Sequence, residues 1–491
     1  MKFDRSCGTR YLELLRKRGI EVRSVVVRQD GEVAFAHSSA PFALDQVHPL
    51  YSVTKSFTSC AVGMLENEGK IVLSRPWISY FPEYAPDVAD PRFLDVTVRD
   101  LLTMQMGQDA EPALAGDDDW AKGVAGKPLA HDPGSVFFYN SLCSHLLSML
   151  VERVSGVPED AFLARRLFAP MGIVHWWWEH DRHGHATGGF GLHLATPDLA
   201  KFGQCLLDGG RWEGRQLIPR AWVAAATTRQ AETAPFYPAS ATEDRNGYGY
   251  QFWMCAGGGF RCAGLFGQLC YVLPEEHLVV AASSSTTGSK PLMDALYDVL
   301  GIAPCWRPAL PQAALAHELE GAGSEDLSCI PCLQGLPRSP FVPIPAEGIL
   351  RPLDGAQGFT SLRIAASEGA VPELLVELER GGETFSMQAG YGTWRKLEAG
   401  KRPVGSLFPF AAESSEITVP PSWAAEAAFG SFAWISPSTL LVQTRELDST
   451  RRCTVQISFD GNHIVASVSA EGMLSGASPS SYVLVAPRHG C

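Results

Sequence analysis

Ser52-Val53-Thr54-Lys55 sets a lysine amine three residues after a serine hydroxyl, and no other lysine in the chain follows a serine at that distance. Residues i and i+3 share one face of a helix, so a helical segment here lays the amine against the hydroxyl. A serine hydroxyl is a weak nucleophile until a base removes its proton. Burial lowers the pKa of a lysine and suits it to that work, while a helix N-terminus favours negative charge beside the serine oxygen. The flanks agree with such a placement, since His48-Pro49-Leu50-Tyr51 reads as extended chain and Ser56 to Leu65 as an apolar helix. A second group follows the Pro133-Gly134 turn, where Tyr139 stands beside Asn140 and Ser141 ahead of the apolar helix Leu142 to Val154. A tyrosine on such a loop can exchange a proton with the lysine and take one from Ser52; its structural alternative is an aromatic that packs the loop.

The elements that must position these groups are mixed. Glu21 to Ala36 reads as strand, Asp30-Gly31 turn and strand, several helical segments follow, Tyr248 to Ser285 reads as three strands, and Ser289 to Leu300 as a closing helix. Prolines at 304, 308, 311, 331, 337, 340, 343 and 345 then interrupt every periodic run, which marks residues 304–345 as a linker. Beyond it, alternating segments such as Leu374-Val376-Leu378, Val455-Ile457-Phe459 before Asp460-Gly461, and Tyr482 to Val485 predict an all-β module, a barrel or a sandwich.

A net charge of -13 without a Lys/Arg cluster argues against nucleic acid and against an anionic membrane surface as partners. The N-terminal segment is a charged amphipathic helix with no uninterrupted apolar stretch of a leader, and no run is long enough to span a bilayer, so a cytoplasmic location is expected. The twelve cysteines are scattered and read as free buried thiols, and Cys329-Ile330-Pro331-Cys332 is a lone pair without zinc-ligand company. His183-Gly184-His185, within the cluster that includes His175, His180 and His193, lacks a matching acidic set, so no metal is expected. Asp117-Asp118-Asp119 reads as a solvated turn or helix start. Ala365 to Gly369 imitates a nucleophile elbow without the helix that must follow one.

Taken together, Ser52 to Lys55 as S-x-x-K and Tyr139-Asn140-Ser141 in the place of Tyr-x-Asn resemble the serine β-lactamase and penicillin-binding protein superfamily, in its class C-like branch of esterases and D-aminopeptidases. Val98 to Gly107 and Gly188 to Gly203 look like two further segments of that branch. The resemblance covers roughly residues 20–302 and implies an α/β fold of the α+β kind, an antiparallel sheet flanked by helices, while the linker sets the domains at 1–303 and 346–491. It implies acylation at Ser52, with Lys55 and Tyr139 exchanging protons, with no cofactor and no metal. The family's third motif, Lys-Thr-Gly or His-x-Gly, corresponds to Gly264-Leu265-Phe266-Gly267-Gln268, where lysine, histidine and threonine are all missing. That departure turns the expectation from β-lactams toward a carboxylester or a small amide, with a D-amino-acid peptidase or weak β-lactamase next. Asn140, Ser141, Gly264, Leu265, Phe266 and Gly267 are the expected substrate-binding residues, with an oxyanion hole from the Ser52 amide and one near Phe266 or Gly267. The β module is assigned to shaping the site or to a homodimer contact. A catalytically silent scaffold of the same fold is the reading from another class.

Overall fold

The computed structural model describes residues 2–111, 119–321, 326–340, 342, 348–350, 358–367, 372–398, 401–403, 428–446, 452–460, 463–471 and 481–487. Asp117 and Asp118 of the acidic run, Glu368-Gly369 of the elbow-like segment, Gly461 and the prolines at 343 and 345 lie outside the described residues. Two compact units are present: one holds residues 2–38 and 43–327, and the other holds residues 39–42 together with the described chain from Ser328 onward.

In the first unit, six antiparallel strands form one sheet: β1 (Glu21–Gln29), β2 (Glu32–Ser38), β3 (Trp253–Met254), β4 (Phe260–Gly264), β5 (Gln268–Leu273) and β6 (Leu278–Ser285), in the order β2-β1-β6-β5-β4-β3. The Asp30-Gly31 turn joins β1 to β2 with both residues at positive φ, the twist a two-residue hairpin requires. Strands β1, β5 and β6 read as nearly continuous apolar runs because the sheet is covered on both faces and successive side chains point to opposite sides. Val25, Val27, Leu269, Tyr271, Val280 and Ala282 pack against helices α1 (Arg5–Lys17) and α6 (Lys290–Leu300). Val26, Cys270, Val272, Val279 and Ala281 face the larger core built around α2 (Thr54–Asn67), α3 (Ser141–Ser155), α4 (Glu159–Leu163) and α5 (Thr196–Leu207).

Helix α2 is the pivot of that core. Every residue from Thr54 to Leu65 is buried, so the helix is apolar or small on all sides rather than along one stripe. A Cβ at Gly63 would fall 2.2 Å from the Trp222 ring, so glycine is what lets the indole pack there.

The expected linker is only partly a linker. Helix Gln312–Glu318 buries Leu315 completely in the α1–α6 core, with Trp306, Leu310, Leu319 and Leu327 packed beside it. Arg18 ties the helix down through Glu318 at 2.8 Å and meets Asp298 at 2.8 Å. Residues 304–321 therefore belong to the first unit, and closely spaced prolines conceal a leucine pattern that a packed surface still uses.

Among the described residues the second unit forms one eleven-stranded sheet that runs from Gly348–Leu350 to Ser481–Pro487 and curls into a half-barrel. Its inward residues, among them Leu362, Val376, Leu378, Leu440, Val442, Val455 and Ile457, mostly alternate with less buried neighbours, as a sheet with one core face requires. No helix among the described residues is long and apolar enough to cross a membrane.

Candidate active site

Ser52 lies in the single 3-10 turn Tyr51–Val53 that leads into α2, at the helix end where the first amides lack the i−4 carbonyl acceptors of a helix interior. The turn is pinned from one side by the strand Leu192–Leu194. The Leu50 amide donates to Leu192 O at 2.9 Å, and the Leu192 amide donates to Thr54 Oγ1 at 3.1 Å. Tyr51, immediately before the serine, sits at φ 48, an uncommon conformation for an aromatic residue and one that tight functional turns retain.

One helical turn on, Lys55 is 1% exposed, and its Nζ lies 2.9 Å from Ser52 Oγ. It also donates to Gly189 O at 2.5 Å and lies 3.2 Å from Ser141 Oγ. Burial, the largest cause, pulls the lysine pKa down to about 8; the Glu111 carboxylate works in the opposite direction.

Lys55 Nζ also stands 4.9 Å above the Tyr139 ring, and the Tyr139 phenol lies near enough to Ser52 to interact with its hydroxyl. Burial pushes the phenol well above its ordinary pKa, and the contact with Ser52 only partly offsets that. The loop that carries Tyr139 is held by Met104: the Phe138 amide donates to Met104 O at 2.8 Å, and the Asn140 amide meets Met104 Sδ at 3.4 Å. Trp253 stacks on the tyrosine ring from β3.

Asn140, expected at the substrate, is 1% exposed and engaged at both ends of its amide. Its Oδ1 caps α3 by accepting the Leu142 amide at 2.9 Å, and its Nδ2 donates to Gln108 Oε1 at 3.2 Å. An asparagine at an N-cap is a common solution for a free amide donor. Of the two polar residues after Tyr139, Ser141 is therefore the one that meets Lys55.

The turn Leu265–Gly267 between β4 and β5 comes up against the Ser52 turn. A Cβ at Gly264 would lie 2.2 Å from Leu50 O, and the rings of Tyr51 and Phe266 meet edge to face at 5.3 Å. Phe266 has φ 60 and Gly267 φ 82, so a left-handed pair stands opposite the left-handed Tyr51. Behind it, Ser284 Oγ lies 2.9 Å from each of the Phe266 and Gly267 carbonyl oxygens, and the Thr286 amide donates to Phe266 O at 3.0 Å. These contacts hold the two carbonyls against the end of β6.

Two contributors are missing from the sequence reading. Gly188 and Gly189 press on α3 so closely that Cβ atoms would lie 2.4 Å from Ser144 O and 2.6 Å from Ser141 O, which is how Gly189 O reaches Lys55. The Gly-Gly pair is the signal for such an approach. Gln251, at φ 66, braces the same region: its Oε1 accepts from Ser144 Oγ at 2.6 Å, its Nε2 donates to Leu101 O and Leu102 O, and its carbonyl accepts from Ser56 Oγ.

The histidines are engaged individually: His145 lies 3.3 Å from Asp181, His180 3.3 Å from Asp160, His185 2.7 Å from Glu152, and His193 Nδ1 2.9 Å from Gly191 O.

A profile of the Beta-lactamase family matches residues 10–302. The 6-aminohexanoate-dimer hydrolase of Paenarthrobacter ureafaciens is 30% identical over 288 residues, 53% of this chain and 71% of that protein. Esterase EstB of Burkholderia gladioli is 27% identical over 188 residues, 33% of this chain and 48% of its own length. Among solved structures, the octameric penicillin-binding protein homologue from Pyrococcus abyssi superposes with a TM-score of 0.50 at 16% identity, covering 98% of this chain and 99% of that one. At that identity the likeness concerns the fold.

Proposed function

The chain belongs to the β-lactamase family, and on that premise we propose that it is a serine hydrolase that works through an acyl-enzyme on Ser52. The observation that carries the reading is the set of partners around Lys55 Nζ. Gly189 O can only accept, and Ser141 Oγ is free to accept, so a neutral amine that donates to both directs its lone pair at Ser52 Oγ. The lowered lysine pKa supplies a neutral population near pH 8, whereas the raised phenol pKa keeps Tyr139 protonated there.

The roles follow from those proton states. Lys55 removes the Ser52 proton as Oγ attacks the substrate carbonyl. The oxyanion is received by the Ser52 amide and by an amide of the Phe266–Gly267 turn. Tyr139 passes its proton to the leaving oxygen or nitrogen and is reprotonated from the Lys55 ammonium. Water then attacks the acyl group with Lys55 again as base, and the Ser52 proton is restored.

The substrate is a carboxylester or a small amide. The Leu265–Gly267 turn offers no cationic side chain to a substrate carboxylate, which argues against β-lactams and against peptides ending in a free D-amino acid. The names of two of the relatives, an esterase and a 6-aminohexanoate-dimer hydrolase, support the ester and amide arms respectively. A cytoplasmic location belongs to the same reading and is supported by buried free thiols such as Cys60, Cys143, Cys205 and Cys270.

The test is the intact mass after incubation with a fluorophosphonate, beside turnover of short p-nitrophenyl esters and nitrocefin. A single adduct lost in Ser52→Ala, with esters turned over faster than nitrocefin, is the expected result. No adduct and no turnover would leave the fold as a silent scaffold, and nitrocefin turned over faster than esters would reverse the substrate ranking.

A further inference from the structure

Glu159, the first residue of α4, is 0% exposed, and neither carboxyl oxygen has a hydrogen-bond partner. The reaction outlined above does not use it. It lies against two hydroxyls, Thr58 from α2 and Ser148 from α3. Both are committed elsewhere: Thr58 Oγ1 donates to Gly188 O at 2.9 Å, and Ser148 Oγ donates to Ala186 O at 2.8 Å. Those carbonyls belong to the segment whose next acceptor, Gly189 O, receives Lys55 Nζ.

A hydroxyl has one proton and two lone pairs. While Glu159 is a neutral acid, Thr58 and Ser148 can keep their protons on the 186–188 backbone and accept from the carboxyl O–H. A carboxylate has no proton to give and competes for both hydroxyl protons, because an unpaired buried charge is far more costly than an unpaired carbonyl. Taking those protons removes two of the bonds that seat the glycine pair.

We propose that Glu159 is a proton-dependent positioning residue for Lys55: as the neutral acid it leaves Thr58 and Ser148 on the Gly188 and Ala186 carbonyls, and as the carboxylate it draws them off and unseats Gly189 O. The surroundings favour the neutral form in the acid and neutral range. Burial is the largest cause and raises the carboxyl to about 8, the Asp160 carboxylate pushes the same way, and the Ser148 and Thr58 hydroxyls oppose it. The other titratable groups facing it are Cys60 on α2, a thiol that burial keeps protonated, and, through Asp160, His180 at 3.3 Å.

The inference rests on the reading of Ser52 and Lys55 as the acylating pair, so the experiment separates the two. Fluorophosphonate labelling of Ser52 in the full chain is timed from pH 6 to 10 for wild type, Glu159→Gln and Thr58→Val. The wild-type rate is expected to rise toward pH 8 as Lys55 loses its proton and then to fall by about threefold or more by pH 10. Glu159→Gln, which keeps a donor that cannot ionise, is expected to lose the fall. Thr58→Val is expected to label slowly at every pH. Superimposable alkaline limbs in wild type and Glu159→Gln overturn the proposal while leaving the Ser52 reading intact, and absence of labelling in wild type overturns both.

A second readout needs no activity. Between the ordinary carboxyl pKa and about 8, the folded chain holds a proton on Glu159 that the unfolded chain has released, so stability falls with rising pH across that window. The unfolding midpoint of Glu159→Gln should therefore gain on wild type from pH 5 to 8 and hold that lead above it. A difference that does not vary with pH would show the side chain to be ionised in the fold and would sink the idea.

Discussion

The Trp253 indole stacks on the Tyr139 ring, with 5.4 Å between centroids and 27° between planes. Arg261 Cζ also lies over the indole, at 5.4 Å, in a fully buried guanidinium fixed by Glu243 at 3.1 Å and Asp244 at 2.6 Å. An ion-paired arginine thus helps to hold the aromatic that stacks on the proposed proton donor. Replacing Trp253 by leucine removes a contact of about 1 kcal/mol and leaves the phenol free to turn away from Ser52. The expected result for Trp253→Leu is a kcat lower by about tenfold to a hundredfold with a smaller change in KM, and near-normal kinetics for Trp253→Phe. Steady-state hydrolysis of a p-nitrophenyl ester distinguishes the two variants.

Lys55 fixes the acid side of the pH profile. With its pKa near 8, about a tenth of the amine is neutral at pH 7 and about half at pH 8, so kcat/KM should climb steeply from pH 6 and bend near pH 8, a limb that Glu159→Gln carries on to a plateau. Stability carries the matching sign. Between about 8 and the ordinary lysine pKa, the unfolded chain binds a proton that the folded chain has lost, so stability rises with pH there. Lys55→Met should therefore be inactive yet more heat-resistant than wild type at pH 7, with the gap narrowing toward pH 10. Calorimetric scans at both pH values measure it.

What could be read before the fold was known divides along a physical line. Ser52 and Lys55 are legible because helical periodicity turns a spacing into a contact, and Ser52, Lys55 and Tyr139 do meet. Gly189 O was harder to foresee: the Gly-Gly pair signals a close approach, but which group its carbonyl receives is decided by packing on α3. Asn140 misleads for a related reason: an amide beside a reactive tyrosine resembles a substrate ligand, but the start of α3 consumes it first. Strands β1, β5 and β6 stood out as apolar runs, whereas Leu315 was hidden because the prolines around it signal a break more strongly than the leucines signal burial. The half-barrel was legible as alternation alone, since period-two burial does not say whether a sheet closes.

Ser141 should matter more than its position two residues from Tyr139 suggests. Its Oγ is one of two acceptors that fix the orientation of the Lys55 amine, and with alanine there the lone pair is no longer confined to Ser52. Ser141→Ala is expected to lower the rate of Ser52 acylation by about tenfold to a hundredfold while leaving the fold intact. Ser141→Thr, which keeps the oxygen, should recover most of that loss. Fluorophosphonate labelling rates read both.

Gly264 tests whether close approach of the Leu265–Gly267 turn to the Ser52 turn is needed for acylation. Its φ of −122 is open to any residue, so backbone strain is not at issue and the effect of a side chain is contact alone. An added methyl would stand 2.2 Å from Leu50 O and 3.0 Å from Gln268 Cβ. Leu50 O cannot rotate aside as a side chain would, because it is main chain and accepts the Val53 amide at 3.2 Å, the bond that closes the turn holding Ser52. The methyl must therefore either part β4 from that turn, spoiling the oxyanion position, or open the turn itself, moving the nucleophile. Overpacking of this kind costs about 1–3 kcal/mol, a modest part of the stability of a unit this size. Gly264→Ala should accordingly remain folded, with a somewhat lower urea midpoint, while Ser52 labelling falls by about a hundredfold or more. Labelling at the wild-type rate in a folded Gly264→Ala protein would mean that the turn at Phe266 and Gly267 does not supply the second oxyanion donor.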